Sequence, residues 1–130
     1  MSALARSPFV DGYVFLEGPR WHDGCLWVSD IWAHKVYCIK EDGRAETAAD
    51  VPQRPSGLGF LPDGTPLIVS MQDRRVYRLE TGALQLHADL SGSVAADIND
   101  MVVDDQGRAY IGDMGYDLFG GGPSAPGGIV

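Results

Sequence analysis

No stretch of this chain approaches the ~18 consecutive apolar residues of a membrane-spanning helix, which excludes a helical membrane protein. Positive charge is also scarce. Ten Lys and Arg face eighteen Asp and Glu, for a formal net charge of −8. A chain this acidic is poorly suited to phosphate backbones or anionic lipid surfaces, so neither nucleic acid nor a membrane is expected as partner. No run of ten or more residues holds a 3.6-residue apolar period without Gly or Pro breaking it, which argues against helices. Residues 1–10 carry one Arg and no long apolar core, so no secretory signal is read there and the cytoplasm is the expected location. Only two cysteines are present, Cys25 and Cys38. If Cys25–Asp30 and Lys35–Lys40 pair about a turn at residues 31–34, Cys25 faces Lys40 and Cys38 faces Trp27. The cysteines are then not directly opposed, and two free thiols are expected.

What is abundant is glycine, at 17 of 130 residues, and it recurs with a period. Three segments align: Trp21 to Asp30, Phe60 to Met71 and Val103 to Met114. Each has a bulky apolar residue, a polar turn closed by glycine (Gly24, Gly64, Gly107) and a β-rich run. The turn glycines are 40 and then 43 residues apart. Val36-Tyr37 and Val76-Tyr77 mark a third run in the first two units, and a weaker fourth run follows each near 45–51 and 83–90. Four short strands per ~40 residues is the pattern of a β-propeller blade. The chain is therefore expected to be all-β, with about two and a half to three four-stranded blades and about ten strands. The units are placed at about 17–51, 55–90 and, incomplete, 97–130, as one partial propeller domain. Tryptophans and tyrosines are expected mainly in the core.

In a propeller the first strand of each blade lines a central channel, so polar residues at the entrances of these strands meet although they are distant in sequence. Glu17, in Leu16-Glu17-Gly18-Pro19-Arg20-Trp21, and Asn99, in Ile98-Asn99-Asp100-Met101, hold such places. A carboxylate and an amide carbonyl are hard oxygen donors suited to Ca²⁺, Mg²⁺ or Mn²⁺. On spacing alone the signal is weak, and such a pair is more often a turn or capping feature.

Taken together the motifs resemble a known family. Glu17-Gly18-Pro19-x-Trp21, Leu26-Trp27-Val28-x-Asp30-Ile31 and Val36-Tyr37 are similar to the opening blade of the SMP-30/gluconolactonase/luciferin-regenerating proteins. Pro55-Ser56-Gly57-Leu58-Gly59-Phe60 with Asp63-Gly64 resembles the second blade, and Asn99-Asp100 through Gly112 the third. The resemblance implies a six-bladed propeller with a central divalent metal, most often Ca²⁺ and in some members Zn²⁺ or Mn²⁺. It implies Glu17 as a metal ligand and Asn99 as ligand or substrate contact. The substrate would be a small lactone or ester, opened by metal-dependent hydrolysis. The Asp expected as base or nucleophile has no counterpart within these residues. Where some members carry an Arg sugar contact two positions before the Asn, this chain has Asp97, a candidate substrate contact of different charge.

Two functional expectations follow. The first is that the chain is the N-terminal part of a metal-dependent lactonase-type hydrolase, and has no appreciable activity on its own. The second is an inactive propeller piece serving as a metal-binding or interaction module. Open apolar faces at both ends, one near Leu26 and Val28 and the other at Val102 or Val103, are expected to drive self-association.

Overall fold

The computed structural model describes residues 3–130. Met1 and Ser2, the start of the segment read as lacking a secretory signal, lie outside them. Eleven strands and no helix form among the described residues. Strands β1 (Leu16–His22), β2 (Cys25–Asp30), β3 (Lys35–Lys40) and β4 (Ala45–Asp50) make one antiparallel sheet in sequence order. Strands β5 (Pro55–Phe60), β6 (Pro66–Ser70), β7 (Arg75–Glu80) and β8 (Ala83–Asp89) make a second. The third contains β9 (Ile98–Val103), β10 (Ala109–Asp113) and the short β11 (Gly128–Ile129). Simple up-and-down order in successive sheets is the blade architecture expected from the repeat. The turn glycines adopt φ of +76°, +89° and +81° at Gly24, Gly64 and Gly107, a region a side chain would strain.

The core lies between sheets, and the middle sheet is packed against a neighbour on both faces. Val36 and Val51 of the first unit pack with Leu58 and Ile68 of the second. From the opposite face of β6, Leu67 and Val69 pack with Ile98, Met101 and Ile111 of the third. Strand alternation thus assigns neighbouring residues of β6 to two different interfaces. The inner strands β1, β5 and β9 come together, closely enough that glycine is required. A Cβ on Gly57 would stand 2.6 Å from the Met101 amide nitrogen.

Three expectations are corrected. Cys25 and Cys38 form a disulfide, with Cα atoms 5.6 Å apart. The register is the expected one, Cys25 opposite Lys40 and Trp27 opposite Cys38. The cysteines are diagonal neighbours on one face of the hairpin, and strand twist brings that diagonal within bridging range. Free thiols therefore no longer argue for a reducing compartment. Second, the face of the first sheet near Val28 is covered. Residues 10–15 run across it: Tyr13 packs edge-on against Tyr37 at 4.9 Å, and Val28 is 3% exposed. Third, Trp21 and Trp32 are exposed, and only Trp27 packs between sheets, against Phe60.

Candidate functional site on the inner wall and rim

Each inner strand is interrupted at the same place. Register shifts fall between Glu17 and Arg20 in β1, between Pro55 and Leu58 in β5, and opposite residues 111–113 in β9. An extra residue bends the strand and re-aims a side chain. Glu17, Ser56 and Asn99 occupy equivalent positions at these three irregularities, just after Leu16, Pro55 and Ile98, which pair with Asp30, Ser70 and Asp113.

Glu17 is half-buried, and its Oε1 accepts a hydrogen bond from the Ser56 hydroxyl. Ser56 is fully buried, and its carbonyl oxygen accepts the Ser29 hydroxyl at 2.7 Å. Gly18 permits this approach: at φ +65°, its missing Cβ would lie 2.9 Å from the Ser56 oxygen. Asn99 sits on the far side of β5. Its amide packs on Gly112, where a Cβ would overlap Oδ1, and among the described residues it makes no side-chain hydrogen bond to protein. Asn99 lines an open cavity of about 580 Å³ with Arg20, Asp100, Tyr110 and Ile129. Glu17 does not line it. Its carboxylate turns instead toward Ser56.

Two neighbours define this cavity. Arg20 donates from Nη2 to Asp100 Oδ1 and to the Met101 carbonyl, both at 2.9 Å, tying β1 to β9 past β5. Asp100 also accepts the Met101 amide at 2.8 Å, so it supports the irregularity within β9 and anchors Arg20. His34 is structural: in its turn at φ +60°, Nδ1 lies 2.9 Å from the Pro52 carbonyl.

Asp97 faces a different cavity, of about 270 Å³, lined by Trp32, Arg54, Gln72, Asp117 and Phe119. Burial pushes its carboxyl above the usual range, Arg74 pulls it back, Asp117 raises it further and Arg54 lowers it. The nearest cation, Arg74 Nε, stands 4.0 Å away.

Glu17 and Asn99 thus share the inner wall on either side of Ser56–Gly57, and Asp97 lies apart at the rim. Ser56 was legible in principle, since it holds the repeat position of Glu17 and Asn99. Arg54 and Trp32 carried no sequence signal, because their meeting depends on turns from different units. Among the described residues, no three His, Cys, Asp or Glu side chains gather as a metal cluster. The carboxylate, hydroxyl and amide donors on the wall nonetheless suit a hard divalent cation in type.

The chain is similar over most of its length to solved propellers. A gluconolactonase from Xanthomonas campestris superposes with a TM-score of 0.73 at 22% identity, covering 81% of this chain and 36% of that one. Regucalcin of Agrobacterium tumefaciens, described as a calcium-binding protein, gives 0.63 at 23%, covering 84% and 44%. Virginiamycin B lyase from Staphylococcus aureus gives 0.63 at 14%, covering 88% and 40%. At these identities the likeness is one of fold, and the chain spans less than half of each structure. No curated protein sequence matches significantly. Residues 15–130 match the model of the SMP-30/gluconolactonase/LRE-like region, and the chain belongs to that family.

Proposed function

We propose that this chain is the N-terminal part of a divalent-metal-dependent hydrolase that opens a small lactone or ester. The observation carrying this reading is the equivalent placement of Glu17, Ser56 and Asn99 at the inner-strand irregularities of consecutive blades. Family membership and the description of the Agrobacterium relative as calcium-binding support Ca²⁺ as the first ion to test, with Mn²⁺, Mg²⁺ and Zn²⁺ next. Glu17 and Asn99 would hold the ion, and the Ser56 hydrogen bond would fix the Glu17 carboxylate. A bound divalent ion would act as a Lewis acid toward the lactone carbonyl oxygen.

Two protein donors fall well short of the ~6–8 oxygens that calcium takes. The chain alone is therefore expected to bind Ca²⁺ weakly, on the order of millimolar. Terbium luminescence with Ca²⁺ competition measures this directly. Glu17→Gln should lower the affinity by about tenfold, the loss of one charge-assisted contact. Equal affinity in the variant, with the fold intact, would remove Glu17 from the site. Binding without turnover of any lactone or ester would favour the alternative, a metal-binding module.

A further inference from the structure

We propose that the Cys25–Cys38 disulfide is a thiol-exchange site, at which a low-molecular-weight thiol attacks Cys38 and displaces Cys25. The site is separate from the inner wall and from the rim. Register puts it at the end of β1 away from Glu17: Cys25 stands across from His22, whereas Glu17 stands across from Ser29.

Strand alternation places His22, Cys25, Trp27, Cys38 and Lys40 on one face of the first sheet. That face meets the second sheet, where His22 stacks on Phe60 and Trp27 packs edge-on against it. The contact stops short of the bridge. A surface cavity of about 250 Å³ remains there, lined by both cysteines and their neighbours on this face and, from the turns, by Asp23 and Gly64. A disulfide that only staples a hairpin needs no such opening.

The two sulfurs are not equivalent. Cys25 is 2% exposed, whereas Cys38 is only half-buried. Exchange begins with a thiolate reaching one sulfur, so Cys38 is the one attacked. The flanking strands favour the same direction. Cys25 lies between His22 on β1 and Lys40 on β3, and Cys38 lies between Trp27 on β2 and Glu46 on β4. A thiolate is stabilised beside an ammonium and opposed beside a carboxylate, which makes Cys25 the better leaving group. Burial of Cys25 and the Asp23 charge act the other way. Access decides, because it is close to all-or-none, whereas the charges change the rate by small factors.

In the step, the incoming thiolate bonds to Cys38 Sγ and the Sγ–Sγ bond breaks. The electron pair leaves on Cys25 Sγ, which takes a proton from solvent. The products are a mixed disulfide on Cys38 and a free thiol at Cys25. A second thiolate that attacks the outer sulfur releases the small disulfide and leaves both cysteines reduced, a two-electron reduction by two thiols.

The test treats the folded 130-residue chain with 2-mercaptoethanol, uncharged as the thiol, and quenches early with an alkylating agent. Trypsin cuts after Arg20, Lys35 and Lys40, so Cys25 falls in residues 21–35 and Cys38 in residues 36–40. Mass spectrometry should find the mercaptoethanol adduct on Cys38 and the alkyl group on Cys25, in about tenfold or greater excess over the reverse. Lys40→Gln, at an exposed position, should slow the exchange about two- to threefold, since a less acidic thiol leaves more slowly. The rate should stay constant on adding urea below the unfolding transition, because exchange through unfolding would accelerate with urea. The single variants give an independent readout. The Cys38 thiol in Cys25→Ser should react with hydroxyethyl disulfide about tenfold or more faster than the Cys25 thiol in Cys38→Ser. An even or reversed distribution between the two peptides, an unchanged rate in Lys40→Gln, or exchange only through unfolding overturns the site.

Discussion

The cysteine pair shows how much one side-chain bond depends on geometry finer than register. Cys25 is buried at the start of β2, and Cys38 lies near the end of β3, 13 residues on. Pairing placed each cysteine opposite a different residue, and only the diagonal offset of a twisted hairpin joins them. Closing a loop of this length stabilises by about 3 kcal/mol in the chain-entropy model. Reduction, or Cys25→Ala with Cys38→Ala, should therefore lower unfolding free energy by about 2–3 kcal/mol, measured by denaturant titration with and without dithiothreitol. Thiol titration of the purified, denatured chain checks the bond itself. Two reactive thiols before reduction would refute it. Glu17 and Asn99 present the opposite case. Their residue types and places at the starts of inner strands were legible, because the repeat carries its own frame. The Ser56 partner and the rim position of Asp97 were not, because they depend on how adjacent sheets approach.

At the scale of elements, one device recurs that the sequence pattern left unmarked. Asp30, ending β2, accepts the amides of Val14, Phe15 and Ala33 at 2.9–3.1 Å. Asp113, ending β10, accepts those of Ala95, Ala96 and Gly115 at 2.9–3.2 Å. In both units a second-strand carboxylate clamps the segment that enters the inner strand. Ser70 holds the equivalent place in the second unit, so no threefold motif announced the clamp. Asp30 is 0% exposed, and Asp30→Ala would orphan three amides, at a cost of about 3 kcal/mol. Asp113 is more accessible, so Asp113→Ala should cost less, and paired thermal melts decide the order.

Asp113 also gives a pH dependence. Burial raises its carboxyl, but the Ala95, Gly115 and Ala96 amides and the Arg74 charge outweigh this and hold it below the usual carboxylate range. A depressed folded-state value means that its contribution is complete above the unfolded value of about 4. That contribution is lost as pH falls through the depressed value. The stability difference between the native chain and Asp113→Asn should thus be constant near neutrality and shrink below about pH 4. A difference that grows on acidification would refute the clamp. The loop released at low pH leads into Asp97, so the rim cavity should loosen with it.

At the scale of the whole chain, the two end faces are not alike. The first sheet's outer face is closed by residues 10–15, with Phe15 hydrogen-bonded to Ile31 and Val10 within 3.8 Å of where a Gly43 Cβ would stand. The third sheet's outer face is open. Val102 is 61% and Ile129 73% exposed, with Tyr110 beside them along the large cavity. β11 pairs with only the upper part of β10, at Gly112 and Asp113, and residues 111 and 130 extend that pairing by two hydrogen bonds. Below Ile111 on the same edge, Ala109 has no β11 residue opposite it, so its backbone groups face outward, which is an invitation to another strand. With a single open face, the self-association expected from the sequence takes a different form. Two open ends would join head to tail without limit, whereas one open end pairs with its own copy about a twofold axis and stops. We therefore expect a discrete dimer. The charge of −8 per chain opposes it at long range, and salt screens that repulsion beyond ~8–10 Å, so the dimer should tighten as salt rises. Val102→Lys places a charge on that open face, in the cavity that Arg20 and Asn99 also line, and should shift the chain to monomer at all salt concentrations. Sedimentation velocity from low to high salt measures both effects. Open-ended oligomers would mean that the first sheet's cover detaches, and a monomer throughout would mean that the exposed face is stable in water as it stands.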